Sequence, residues 1–308
     1  MTEPRQVVFV LSLPRSGSTM LGHFLGALAG VECTGEVPAP LQKGRPVRCR
    51  YCDDRPCPIW GSVLSSEFVK RCYHSSERNN GSKALRLPAR IWGQFRKDYE
   101  PPAAMFHRLF DADDSLHTIV DTSKNHNWIN WNCSSNLFDT KYIFLTRDLR
   151  GVAGSIVRTS ATPMRKLARD LTKSVTRWQR FTARLPQHKV LQLRYEDLAG
   201  QPESAGRKLC QFLGVTYSNR MLEFYRYPSH VIGGNIGPLV QSKIATDRKY
   251  DSASLYSMAS QREYYEEERP QIAMDERWKH ELQIDSLRQF DQIAGECNKS
   301  LGYAKTDI

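Results

Sequence analysis

Four short apolar runs punctuate the chain: Val7–Leu13 (VVFVLSL), His117–Thr122 (HTIVDT), Lys141–Arg147 (KYIFLTR) and Lys189–Tyr195 (KVLQLRY). Each is rich in β-branched, aliphatic or aromatic residues and bounded by turn-forming or polar ones, so each predicts a strand. Between them the apolar positions change to helical spacing. Met20, Leu21, Phe24, Leu25 and Leu28 follow the first run, and Val152, Ala153, Ile156 and Val157 follow the third. Met164–Leu185 reads as a long amphipathic helix anchored by Trp178 and Phe181, Pro202–Leu213 as a helix ended by Gly214, and Leu287 to Leu301 as a last helix stopped by Gly302. Strands alternating with helices predict a three-layer α/β sandwich around a mostly parallel sheet, with right-handed crossovers.

Three stretches lack this regularity. Val31–Trp60 contains five prolines and two glycines without a sustained period, and is expected to be an ordered loop or flap, not a helix. Residues 62–114 are mostly helical and amphipathic, with Leu85, Ile91, Trp92, Phe95, Met105, Phe106, Leu109 and Phe110 available for packing and a break at Asn79-Asn80-Gly81-Ser82. Residues 225–269 read as irregular. With no internal repeat and no low-complexity linker, residues 1–308 are expected to form a single domain.

Composition narrows the partners. Lys and Arg exceed Asp and Glu, leaving a formal charge of +11, which suits a polyanionic nucleotide, a nucleic acid or an acidic membrane surface. The basic residues are scattered, so a positively lined cleft is expected and not a basic tail. No apolar stretch reaches the roughly 18 residues a bilayer crossing needs, and no secretory leader is visible. The sequence therefore reads as soluble and cytoplasmic, with its 8 cysteines mostly reduced.

The chemistry begins where the first strand ends. Pro14–Ser18 is a turn-rich loop and a helix starts near Thr19, an arrangement that aims backbone N–H groups and the helix dipole at one spot. Arg15 adds a fixed positive charge, and Ser16, Ser18 and Thr19 add hydroxyls. The G-x-x-x-x-G-K-[ST] pattern of nucleoside-triphosphate loops is missing: no glycine precedes Gly17 in the loop and no lysine follows it. At the end of the third strand stands a second anion element, Arg147-Asp-Leu-Arg-Gly-Val-Ala-Gly-Ser155. Its Ser155 falls one to two turns into the following helix, on a face that can look back at Arg147.

Pro-Arg-Ser-Gly-Ser-Thr after a buried strand resembles the phosphosulfate-binding loop of sulfotransferases that use 3′-phosphoadenosine-5′-phosphosulfate (PAPS), and the Arg147–Ser155 element resembles their 3′-phosphate site. The resemblance implies a P-loop NTPase-like fold, with Arg15, Ser16, Gly17, Ser18 and Thr19 on the 5′-phosphosulfate and Arg147 and Ser155 on the 3′-phosphate. An arginine in the loop is closer to the tyrosylprotein, carbohydrate and bacterial branches than to the cytosolic phenol enzymes. Three further matches follow from the resemblance. Gly35-Glu36 corresponds to a pair that supplies the catalytic base in some branches, with His126 the alternative base. Asp121-Thr-Ser123-Lys124 resembles a motif that places its lysine near the sulfuryl group; Asp121 and Ser123 are also site candidates because they follow a strand end. Gly234, Asn235 and Lys243 are weaker cofactor candidates, and Arg194 and Glu196 of the Arg-Tyr-Glu-Asp-Leu stretch are assigned to the scaffold.

Cys49, Cys52 and Cys57 form C-x2-C-x4-C-P. Two cysteines two apart make half a zinc site, and the missing ligand would be Cys33, Cys72 or a histidine. Without a second matching pair the pattern favours free thiols or a local disulfide, and the resemblance suggests a structural staple.

The expected activity is sulfuryl transfer from PAPS to a hydroxyl, or less readily an amine, of a small-molecule or carbohydrate acceptor. Adenosine 3′,5′-bisphosphate is released and no metal is required. Catalysis is assigned to Glu36, Arg15 and Lys124. A small-molecule kinase on a degenerate loop and a basic nucleic-acid-binding protein are the competing expectations; no nucleic acid and no membrane span are predicted for the favoured one.

Overall fold

The structure is a computed structural model that describes residues 5–42, 47–52, 56–61, 65–81, 103–133, 138–247 and 272–304. Its strands are β1 (Gln6–Ser12), β2 (Val31–Gly35), β3 (Thr118–Asp121), β4 (Asp139–Thr146) and β5 (Val190–Arg194), hydrogen-bonded in the order β2-β3-β1-β4-β5. The β1/β3, β2/β3 and β4/β5 pairings are parallel, with Gln6 opposite Thr118, Val31 opposite Thr118 and Tyr142 opposite Val190. Every residue of β1 and β3 is buried. A strand with no wet side must be covered on both faces, which is why these segments read as continuous apolar runs and not as alternating ones.

The helices that bear on the site are α1 (Ser18–Gly26), α2 (Pro38–Gln42), α3 (Ser66–Gly81), α4 (Ala104–Ala112), α5 (His126–Cys133), α6 (Leu149–Val157), α7 (Met164–Thr182), α8 (Tyr195–Gly200), α9 (Pro202–Leu213), α10 (Ile236–Ala245), α11 (Trp278–Glu281) and α12 (Ile284–Ser300). Gly214 ends α9 in the left-handed region (φ 75°), and the N–H groups of Gly214 and Val215 both reach back to the Cys210 carbonyl at 2.8 and 3.0 Å. That double closure satisfies a carbonyl the helix would otherwise leave open.

Two expectations are corrected. Val31–Trp60 is not wholly loop: it opens with strand β2 and contains the short helix α2, so the sheet has five strands, not four. The prolines and glycines that follow disguised the strand, and its apolar run is interrupted by Glu32. Burial pushes its carboxyl up to about 8, so the neutral acid sits in a strand where sequence suggests a solvated charge. Residues 225–269 likewise contain a helix, α10, whose N-terminus is capped by the Asn235 side chain accepting from the Ile236 N–H at 2.8 Å. The expected packing residues Leu85, Ile91, Trp92 and Phe95, and the charged stretch 263–269, lie outside the described residues.

The chain divides into two compact units. The first takes Met1–Phe9, Gly22–Lys141 and Ser218–Gln271; the second takes Val10–Leu21, Tyr142–Tyr217 and Ile272–Ile308. The first is centred on aromatic edge contacts, Phe9 with Phe106 at 6.0 Å and Phe106 with Trp128 at 6.2 Å. In the second, α7 packs along α12, and Trp178 sits edge-on to Phe181 at 5.9 Å while its indole N–H donates to the Ser12 carbonyl at 3.2 Å.

One core residue of the first unit makes stability depend on acid. His23 is 2% exposed, neither ring nitrogen has a hydrogen-bond partner among the described residues, and its ring meets Phe224 edge-on at 6.2 Å. Burial pushes the imidazole down to about 4 from an ordinary 6.5. The fold holds it neutral while the unfolded chain protonates it, so its contribution is complete above 6.5 and is lost as pH falls toward 4. That loss is on the order of 3 kcal/mol. Urea unfolding of the wild type and of His23→Leu should therefore show a steeper fall in midpoint for the wild type between pH 6.5 and 4.5; equal slopes would reject the assignment.

Candidate active site

The phosphate-type loop lies in the second unit and is held in a conformation few residues adopt. Arg15 has φ 68° and Gly17 φ 88°. A Cβ on Gly17 would stand 2.6 Å from Cδ2 of Tyr195, so glycine is demanded both by the backbone angle and by the ring packed against it. Ser16, Ser18 and Thr19 are buried, Ser16 most deeply. Because α1 begins at Ser18, its first unpaired N–H groups open toward the loop.

Arg147 follows β4 directly and joins this loop. Its Nη1 donates to the Arg15 carbonyl at 2.9 Å, its Nη2 donates to the Asp275 carbonyl at 2.7 Å, and its guanidinium lies over the Tyr195 ring at 4.4 Å. The structure thus brings Arg15 and Arg147 together. Gly151, in the first turns of α6, leaves room for this arginine: a Cβ there would be 3.1 Å from Arg147 Nε. Ser155 is four residues further on and so lies on the same helix face as Gly151.

Asp275 is the counter-ion of this corner. Its carboxylate meets Arg147 at 3.3 Å, Arg158 at 3.6 Å and Arg277 at 2.8 Å. Burial alone would raise its carboxyl, but the Arg277 hydrogen bond and the three positive charges hold it well below the usual carboxylate range. Tyr195 ties the same segment down, donating to the Ala273 carbonyl and accepting from the Asp275 N–H, each at 3.0 Å. Beside it opens a cavity of about 450 Å³ whose lining includes Arg150, Asp275, Trp278 and Tyr303. Arg194 stacks on Tyr303 at 4.4 Å, and Glu196 accepts from the Asp148 N–H and the Tyr303 hydroxyl at 3.0 and 2.5 Å. Tyr195, Asp275 and Trp278 were missed as site residues from sequence. Only the polar run Asp275-Glu276-Arg277 immediately before a tryptophan hinted at them.

The other candidates are gathered in the first unit. Lys124 Nζ donates to Glu36 Oε1 at 2.5 Å and to the Thr122 carbonyl at 3.0 Å. These side chains are 10% and 22% exposed, enough to be reached from solvent. Gly35 (φ 74°) turns the chain between β2 and Glu36; a Cβ there would collide with the Ile232 carbonyl at 2.6 Å. The Glu36 N–H donates to that carbonyl at 2.5 Å, and the Ile232 N–H donates to the Thr34 carbonyl at 2.9 Å. Lys124 itself has φ 57°. Among the described residues three non-glycines have positive φ, and two are Arg15 and Lys124. Backbone strain of this kind persists where surrounding structure enforces it and is concentrated at functional positions.

Asp121 is occupied structurally: one carboxylate oxygen accepts from the Ser123 N–H at 2.8 Å and the other from the Trp128 indole at 2.9 Å, with no exposed surface. His126 is the first residue of α5 and Lys243 is buried in α10. The Gly234 carbonyl accepts from Arg50 Nη1 at 2.8 Å.

No helix among the described residues is long and apolar enough to cross a membrane. A family model described as "Sulfotransferase family" matches residues 99–219, a span that includes β3, β4, β5, Lys124, Arg147 and Ser155. The matched span does not include the Pro14–Thr19 loop or Gly35-Glu36. No curated protein sequence matches the chain. Among solved structures, a sulfotransferase domain from the curacin biosynthetic pathway is 18% identical, covering 95% of this chain and 98% of its own, with a TM-score of 0.48. A sulfotransferase domain from the Synechococcus PCC 7002 olefin synthase is 17% identical, covering 96% of each chain, with a TM-score of 0.45. Mouse sulfotransferase SULT7A1, complexed with PAP, is 13% identical over 97% of this chain and 90% of its own, with a TM-score of 0.48.

Proposed function

We propose that the protein transfers a sulfuryl group from PAPS to a hydroxyl of a small-molecule or carbohydrate acceptor. The observation that carries this reading is the joining of Arg147 to the Arg15 loop at 2.9 Å; Ser155 is assigned to the same corner by its helical spacing from Gly151. Two anion elements tied together suit a donor with phosphate at both its 3′ and 5′ positions. The buried hydroxyls of Ser16, Ser18 and Thr19 and the start of α1 add donors for the 5′ group. The loop also follows the C-terminal end of β1, where the strand order reverses, the position at which open α/β sheets take ligands.

In the reaction the acceptor oxygen forms a bond to sulfur as the bond from sulfur to the 5′-phosphate oxygen breaks, leaving adenosine 3′,5′-bisphosphate, and the acceptor proton passes to Glu36. Lys124, held against Glu36, offers positive charge to the sulfuryl oxygens. Arg15 offers it to the departing phosphate. Stabilising charge in this way, together with orientation, is the main work of enzymes that transfer such groups.

The kinase reading loses support at Asp121, whose two oxygens are both engaged by protein donors within the core. The discriminating experiment is calorimetric titration of the full chain with adenosine 3′,5′-bisphosphate and, separately, with ATP and Mg²⁺. Micromolar or tighter binding of the bisphosphate with ATP at least tenfold weaker is expected. Preference for Mg-ATP, or binding of neither, would overturn the proposal.

A further inference from the structure

In the first unit the Cys/Pro-rich segment meets a residue far along the chain. Cys49, Cys52 and Cys57 are buried, and their sulfurs stand 3.7, 3.4 and 3.3 Å from Nδ1 of His230. All four atoms lie within 4.8 Å of one another. In a tetrahedral zinc site, with Zn–S about 2.3 Å and Zn–N about 2.05 Å, sulfur and nitrogen ligands are separated by about 3.6 Å. The three S···N distances bracket that tetrahedral edge.

We infer that these residues form a Cys₃His site for one zinc ion. Spacing left the motif one ligand short, and the fold supplies it: not Cys33 or Cys72, but His230. A disulfide would draw two of the sulfurs to about 2 Å and leave the third thiol and the imidazole in a cluster with no shared bond. The peptide groups are arranged for thiolates. The Cys52 N–H donates to Cys49 Sγ and the Trp60 N–H to Cys57 Sγ, both at 3.4 Å, an arrangement that favours negatively charged sulfur. The imidazole is held in place from outside: the Trp60 indole donates to the His230 carbonyl, the Arg50 N–H donates to the next carbonyl, Val231, at 3.0 Å, and Tyr51 packs edge-on to the ring at 5.5 Å. Three thiolates with one imidazole select zinc over harder cations. Four protein ligands close the tetrahedron, so the ion is structural and leaves no position for substrate.

The site fixes more than its own loop. Residues Val231 and Ile232 follow the histidine, and Ile232 forms the parallel bridge to Gly35 that carries the Glu36 N–H. Zinc thus clamps the segment on which the Glu36 backbone rests. The assignment stands on the cluster alone and is independent of the sulfuryl-transfer reading.

Elemental analysis of the purified full chain, produced in zinc-supplemented medium and dialysed without chelator, should find one zinc per chain. Cys52→Ser should lose it, while His230→Cys, which offers a fourth thiolate, should keep it. Should Cys52→Ser fail to fold, the wild type reconstituted with Co²⁺ decides the matter: tetrahedral thiolate coordination gives intense sulfur-to-cobalt charge-transfer absorption. A folded protein without zinc, with iron in its place, or with a disulfide among Cys49, Cys52 and Cys57 by mass spectrometry would overturn the inference, as would a cobalt spectrum without charge-transfer bands.

Discussion

Arg147→Ala should weaken binding of adenosine 3′,5′-bisphosphate by roughly a hundredfold. The guanidinium would make charge-assisted hydrogen bonds to the 3′-phosphate, and losing them costs about 3 kcal/mol. Arg147→Lys should recover only part of this, since an ammonium cannot present the planar fork. The side chain also ties the Arg15 and Asp275 carbonyls, so thermal unfolding must accompany the titration. Ser155→Ala, which disturbs no such tie, provides the milder check, with a loss of about fivefold. Unchanged affinity in both variants would remove the 3′-phosphate from this corner.

The second large effect concerns turnover. Glu36→Gln keeps the shape and still accepts a hydrogen bond from Lys124, yet cannot take the acceptor proton. The rate constant for sulfuryl transfer should fall by about 10²–10⁴, with nucleotide affinity within twofold of the wild type. His126→Ala is the control. A large loss there, with Glu36→Gln near wild type, would move the base to the histidine. A parallel fall in nucleotide affinity for Glu36→Gln would mean that the carboxylate organises the fold and not the reaction.

The legible parts of this protein are those in which one local pattern decides the outcome. β1, β3, β4 and β5 were evident because an apolar run of strand length bounded by breakers has few other fates, and α9 because Gly214 ends it. β2 was hidden in a segment whose prolines and glycines read as loop, and by a glutamate whose charge is suppressed by burial, a property of the fold and not of the five residues VECTG. The same division holds at the site. Gly17 and Arg15 could be read from a strand–loop–helix sequence, and Arg147 from its place after a strand. Asp275 and His230 could not, because their importance lies in what they meet across more than a hundred residues of chain.

The bridge between Gly35 and Ile232 bears on how the protein acquires its site. Closing a loop of about 200 residues costs some 3–4 kcal/mol more in chain entropy than closing a four-residue turn. Contacts of that range reward the chain only after much else is in place, so the peptide group preceding Glu36 is anchored late in folding. A ribosome must deliver Ile232 before that anchor can form, whereas the turn bearing Arg15 waits only for Arg147 and Tyr195, which are synthesised earlier. Nascent chains released before Ile232 would carry the phosphate-type loop but lack the support of the proposed base.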